Sequence, residues 1–170
     1  LIFFFLFIFS NLFANENYTK QEIARMISKM VILGFNGENI DSTHQIYKDI
    51  KSGLGGVILF DKDPNDKNKR KNVRDKEQLK ILTSQLQAIS KQKLLISIDQ
   101  EGGIVQRLKS EDGFVNTPKA LDVGLKGESF AKQTYSLLAK DLKESGINTN
   151  FAPVVDLAIN KENKVIVTRG

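Results

Sequence analysis

Apolar positions along this chain fall into two alternating patterns: short unbroken runs, and stretches where they return every three or four residues. The runs 31–35, 56–60 and 94–98 are rich in Val, Ile and Leu and read as short strands, and the continuous run 94–98 reads as one covered on both faces, the habit of a parallel sheet packed under helices. A fourth run, 147–156, starts at Ile147 and ends at Asp156. Between the runs the spacing turns helical. Thr19-Lys-Gln-Glu22 is a capping box, and Ile23, Met26, Ile27 and Met30 follow at i, i+3, i+4 and i+7, which predicts a helix facing the core. A second helix is expected over 41–51, capped by Asp41 or Ser42 and closed by Gly53. Asp75 caps a third, whose core face is Leu79, Leu82, Leu86 and Ile89. Phe130, Thr134, Leu137, Leu138 and Leu142 mark a fourth, which Gly146 ends. The stretch 109–127, broken by Gly113, Pro118, Gly124 and Gly127, reads as irregular.

Strands alternating with helices imply an α/β fold with a parallel sheet and right-handed crossovers. An open doubly wound sheet and a (β/α)8 barrel both fit that order. A complete barrel takes about 250 residues, so in the barrel case these 170 residues supply its first half, with four strands.

Composition changes this picture at two places. The chain is 41% hydrophobic and 26% charged, ordinary for one globular domain. Its first nine residues are wholly apolar, and Ser10-Asn-Leu-Phe-Ala14 follows before charge arrives at Glu16. Residues 1–14 are therefore expected to be part of a secretory signal, too short to span a bilayer as a helix, with the domain over 15–170. The mature protein is expected in the periplasm with no membrane span. Cysteine is absent, which excludes disulfides, thiolate metal sites and a cysteine nucleophile. Of the net charge of +5, most sits in 62–80, where eight Lys or Arg face four Asp or Glu without interleaved aromatics. That pattern reads as a solvated loop, not a nucleic-acid surface.

Candidate chemistry gathers in Ile98-Asp-Gln-Glu-Gly-Gly-Ile-Val-Gln-Arg-Leu108. Asp99 leaves the sheet at its carboxyl end, where α/β folds bind ligands. Gly102 and Gly103 permit a tight turn that brings Asp99 and Arg107 toward one small polar molecule. A carboxylate beside an arginine is usually held ionised, which suits accepting from hydroxyls better than donating a proton. A plain salt bridge or turn cap with Arg107 is the competing role for Asp99. Asp156 stands at another strand end and can equally cap a loop, while Glu101 in its Gly-rich turn can face solvent. His44, the one histidine, has no ligand cluster around it and reads as a surface residue. No Gly-x-Gly-x-x-Gly spacing or P-loop is present to cradle phosphate, and no residue set demands a metal or organic cofactor.

Residues 98–108 resemble the signature of glycoside hydrolase family 3 in its bacterial β-N-acetylglucosaminidase branch. Leu54-Gly-Gly-Val-Ile-Leu-Phe60, Asn150-Phe-Ala-Pro-Val-Val-Asp156 and Val165-Ile-Val-Thr-Arg169 are similar to further family segments, in the same order. The resemblance implies a (β/α)8 barrel that removes terminal N-acetylglucosamine from cell-wall fragments or chitin oligomers with retention of configuration, and it implies no cofactor. Carried over residue by residue, Asp99 grips hydroxyls of the terminal sugar, and Arg107 and Arg169 complete that subsite. The family's Lys-His-Phe-Pro-Gly-His-Gly segment and its later nucleophilic aspartate have no counterpart here, Ile104 replaces a common Arg, and Gly170 stands where Ser or Ala is usual. No catalytic residue is therefore expected within this chain. A sugar-binding or envelope interaction module without catalysis is the alternative reading.

Overall fold

The computed structural model of the chain describes residues 18–66 and 68–169, so the expected export signal lies outside the described residues. Four strands form one sheet in the order β1 (Ile32–Gly34), β2 (Gly56–Leu59), β3 (Leu95–Ile98) and β4 (Thr149–Asn150), with every neighbouring pair parallel. Spatial order follows chain order, as successive strand–helix–strand units wound in one direction require. The sheet stays open, with β1 and β4 as its edges. Around it run α1 (Lys20–Ser28), α2 (Gln45–Lys51), α3 (Lys76–Ile89), α4 (Ala120–Leu125), α5 (Glu128–Glu144) and α6 (Lys164–Arg169), with a 3-10 turn at Ser110–Asp112.

The register sets Val57 beside Ile96 and Leu59 beside Ile98. All four side chains are buried in one cluster with Ile46 and Ile50 of α2 and Leu79, Leu82 and Leu86 of α3. Burying each such side chain stabilises by roughly 1.5–3 kcal/mol over leaving it exposed. Asp75 caps α3 as expected, accepting from the Gln78 N–H at 2.9 Å. Leu95 points to the other face and is 43% exposed, so the expected burial of 94–98 on both faces fails there.

Other expectations need correction. The capping box of α1 forms, with the Thr19 N–H donating to Glu22 Oε2 at 2.8 Å and the Glu22 N–H to Thr19 Oγ1 at 3.2 Å. Yet Ile23, Met26, Ile27 and Met30 are each at least 42% exposed, because nothing among the described residues covers that stripe. Helix α2 starts at Gln45, not at 41. Asp41 accepts from both the N–H and the hydroxyl of Thr43, which ties a turn, and His44 caps the helix by accepting from the Ile46 N–H at 3.1 Å. Its other ring nitrogen lies 2.8 Å from the Asn36 carbonyl, so the histidine is a structural bracket. The stretch 109–127 contains α4, whose Val123 is buried. On α5 the inward face is Thr134, Leu138 and Asp141, while Leu137 is exposed. Asp141 can be buried there because it accepts from Lys76 Nζ at 2.6 Å and from the Val115 N–H at 2.5 Å.

The expected strand over 147–156 shrinks to the two residues of β4. Asparagine side chains take over the ladder at both ends. Asn148 Oδ1 accepts from the Ile96 N–H and its amide donates to the Leu94 carbonyl, while Asn150 pairs in the same way with both backbone groups of Gln100. Beyond Phe151 the chain leaves the sheet, and Asp156 is exposed.

Candidate functional site

Leu59, Ile98 and Asn150 end level with one another, so Phe60-Asp61 and Asp99-Gln100-Glu101 emerge side by side from the carboxyl edge of the sheet. What happens next is governed by Gln100, which is fully buried. Its Oε1 accepts from the N–H groups of Arg107 and Leu108, both at 2.9 Å, and its amide donates to the Leu108 carbonyl at 3.0 Å. One side chain thus fastens the returning loop to the strand end. The turn between passes through Gly102 at φ +101°, where an added Cβ would sit 2.2 Å from the Pro118 carbonyl oxygen. Only glycine fits that position. Gln106 braces the far side, donating to the Gly103 carbonyl at 2.8 Å and accepting from the Thr117 N–H at 3.1 Å.

This loop delivers the Arg107 guanidinium to 3.6 Å from Asp99 Oδ2 and 3.7 Å from Asp61 Oδ1, with the Phe60 ring centre 5.3 Å away. Lys109 Nζ neutralises the other Asp61 oxygen at 3.0 Å. Both arginine–carboxylate separations lie beyond hydrogen-bond reach. Arg107 Nε is buried without a partner among the described residues. Arg107 is therefore held in place by charge while its donors stay uncommitted. The Asp99 and Arg107 side chains are about a quarter exposed, at 26% and 27%.

Arg169 is committed. It donates to Glu101 from Nε at 3.0 Å and again from its terminal nitrogen. Glu101 is only 6% exposed, so it does not face solvent as its turn implies. The arginine supplies the partner that a buried carboxylate requires. The Glu101 hydrogen bonds hold the Arg169 guanidinium above its ordinary range, outweighing the opposing effect of burial, and the charges of Glu101, Asp99 and Asp156 act in the same direction. Asp99, Arg107 and Arg169 thus meet at one edge of the sheet, with Asp99 near enough to act on both arginines.

Asp61 is the residue that sequence reasoning passed over, although Val-Ile-Leu-Phe-Asp61 carries the same apolar-run-then-acid signal as Ile-Ser-Ile-Asp99. Its place at the mouth of the basic loop disguised it. That loop is itself more ordered than a solvated tether. Lys62 and Arg70 bridge antiparallel, Arg70 pairs with Asp112 at 2.7 Å, and buried Asn72 donates to the Phe35 and Gly37 carbonyls while accepting from the Phe60 N–H. Between the loop and the strand ends lies a cleft of about 400 Å³ lined by Phe60, Asp61, Lys62, Asp63, Pro64, Lys71 and Arg107. Among the described residues no three His, Asp or Glu side chains are grouped to hold a metal ion, and no helix is long and apolar enough to cross a membrane.

Residues 19–170 match the family model described as the glycosyl hydrolase family 3 N-terminal domain. A β-hexosaminidase of Thiobacillus denitrificans is 36% identical over 111 residues, covering 61% of this chain and 28% of the relative. A β-hexosaminidase A of Pseudoalteromonas piscicida is 36% identical over 125 residues, covering 68% of this chain and 19% of the relative. Among solved structures, a family 3 β-N-acetylglucosaminidase of a Paenibacillus species superposes with a TM-score of 0.73 at 32% identity, covering 88% of this chain and 26% of that one. NagZ from Neisseria gonorrhoeae, solved in complex with N-trifluoroacetyl-D-glucosamine, superposes with a TM-score of 0.61 at 31% identity, covering 75% of this chain and 37% of that one. The chain thus spans under a third of the length of these curated relatives.

Proposed function

This chain belongs to the glycosyl hydrolase family 3 N-terminal domain family, and we propose that its carboxyl rim grips the terminal N-acetylglucosamine of a glycan that the complete gene product hydrolyses. The observation that carries this reading is the uncommitted Arg107 guanidinium 3.6 Å from Asp99. A carboxylate accepts from two neighbouring sugar hydroxyls, and a planar guanidinium beside it fixes the ring's orientation through its own donors. Arg169, oriented by Glu101, closes the far side of the subsite. The glucosamine analogue bound to the Neisseria relative supports a ligand of this class.

Retaining hydrolysis requires one carboxyl group to protonate the leaving oxygen and a second, about 5–5.5 Å away, to attack the sugar. Each carboxylate of this rim instead faces a cation: Asp99 faces Arg107, Asp61 faces Arg107 and Lys109, and Glu101 faces Arg169. Such groups orient hydroxyls and do not cut the bond. We assign the nucleophile and the acid/base to residues outside these 170. Export directed by residues 1–14 would bring the site to cell-wall muropeptides or chitin oligomers in the periplasm.

The test is hydrolysis of a chromogenic β-N-acetylglucosaminide by the complete gene product. Turnover with retention of configuration is expected, and Asp99→Asn should lower kcat/KM at least about tenfold, the scale of one lost charge-assisted hydrogen bond. The 170 residues alone should give no turnover. Hydrolysis by them above the blank would overturn the assignment of the missing groups.

A further inference from the structure

Asp61 is a nearly buried acid, 8% exposed, that stands behind the Asp99 and Arg107 pair and acts on it by charge. Backbone contacts fix its place. The Phe60 N–H before it donates to Asn72 Oδ1 at 3.1 Å, and its own carbonyl accepts from the Lys71 N–H at 2.9 Å. Among the described residues two cations answer its carboxylate, Lys109 at 3.0 Å on one oxygen and Arg107 at 3.7 Å on the other. The rim thus carries a row of four alternating charges: Asp99, Arg107, Asp61 and Lys109.

Arg107 stands almost midway between its two acids. Its Nη2 lies 3.6 Å from Asp99 and its Nη1 lies 3.7 Å from Asp61. An arginine with a single carboxylate to choose closes on it as a fork, with two parallel N–H···O bonds at about 2.7–2.9 Å. The same rim shows that closed form: Arg169 donates from two nitrogens to the two oxygens of Glu101. Among the described residues Arg169 has one acid within ion-pair distance and Arg107 has two. Opposed pulls of like charge at nearly equal distances nearly cancel, so Arg107 closes on neither acid. Had it closed on Asp99, both oxygens of that carboxylate would be occupied and none would be left for a sugar.

We propose that Asp61 is a positioning residue: its charge draws Arg107 back from Asp99 and so keeps the Asp99 carboxylate open to sugar hydroxyls. This rests on the reading of the rim as an N-acetylglucosamine subsite. Lys109 sets the strength of the pull. By neutralising the far oxygen of Asp61 it stops Arg107 from closing on Asp61 instead.

The experiment measures kcat/KM of the complete gene product on a chromogenic β-N-acetylglucosaminide and on its 3-deoxy and 4-deoxy analogues. The wild type should prefer the parent glycoside to at least one analogue by about tenfold or more, the scale of a hydrogen bond to a charged group. In Asp61→Asn, which keeps the side chain's shape, Arg107 should close on Asp99 and that preference should fall several-fold. Lys109→Met moves the balance the other way, and the preference should rise about threefold, because Arg107 then neutralises Asp99 less. A merely structural role would lower turnover of parent and analogues together. An unchanged preference in a folded Asp61→Asn variant, or one that stays or falls in Lys109→Met, overturns this inference and leaves the sugar subsite intact. Should Asp61→Asn fail to fold, Lys109→Met decides. A wild type that hydrolyses parent and analogues equally well, or none of them, overturns the subsite reading, and this inference with it.

Discussion

Gln100 holds Arg107: a fully buried amide oxygen accepts the arginine's backbone N–H at 2.9 Å and so fixes where the guanidinium stands relative to Asp99. The residue that shapes the site is thus a neutral side chain between two acids, and it touches the neighbouring residue's backbone as well.

Replacing Gln100 by Leu should expose this dependence. Two backbone N–H groups and one carbonyl would lose their buried partner, at a cost of about 1–3 kcal/mol for each unsatisfied group. A lower urea midpoint is expected, together with weaker binding of N-acetylglucosamine by the complete gene product, measured by calorimetry. An unchanged affinity in this variant would show that Arg107 is positioned by something else.

Glu101 and Arg169 form the second relationship, and here the carboxylate orients the cation. Glu101→Gln keeps the shape but removes the charge that most strongly holds Arg169. The expected outcome is a several-fold rise in KM for a β-N-acetylglucosaminide, from an arginine left less well oriented, with a smaller effect on kcat. Steady-state kinetics at two ionic strengths would check it, since a half-buried ion pair is screened less than an exposed one.

Acid should loosen the starts of α1 and α3 and the turn that precedes α2. The carboxyl of Asp75 is lowered from its usual range, chiefly by the Gln78 N–H and next by Arg74; Glu22 is lowered by the backbone and hydroxyl of Thr19, and Asp41 by the hydroxyl and N–H of Thr43. A group whose folded value is depressed contributes stability above its unfolded value and loses it as pH falls through the folded one. Stability should therefore be flat at neutral pH and decline below about pH 4, the unfolded carboxylate range. Asp75→Asn, which keeps a capping oxygen without a titrating group, should show a shallower decline in urea midpoints measured from pH 6 to pH 2.5.

Much of this arrangement was legible in the residues themselves. Val57, Leu59, Ile96 and Ile98 lie in short apolar runs that admit few readings other than buried parallel strands, and the caps at Thr19 and Asp75 announce themselves by local chemistry that needs no tertiary partner. The illegible parts depended on partners distant in sequence. Nothing near Glu101 indicates that Arg169, 68 positions on, will bury it. Asn148 and Asn150 look like strand residues until their side chains are seen replacing the ladder. The stripe of Ile23, Met26, Ile27 and Met30 has helical spacing but no cover among the described residues, and spacing cannot report what lies opposite. Asp61 failed to stand out because the alternating charges after it resemble solvated loop.

The most direct test of the account is a crystal structure of the complete gene product soaked with N-acetylglucosamine. The account expects the sugar at the carboxyl edge of the sheet, with two neighbouring hydroxyls on the Asp99 carboxylate and donors from Arg107 and Arg169 within hydrogen-bond distance of the ring. A sugar bound elsewhere, with the Asp99 carboxylate untouched, would contradict it.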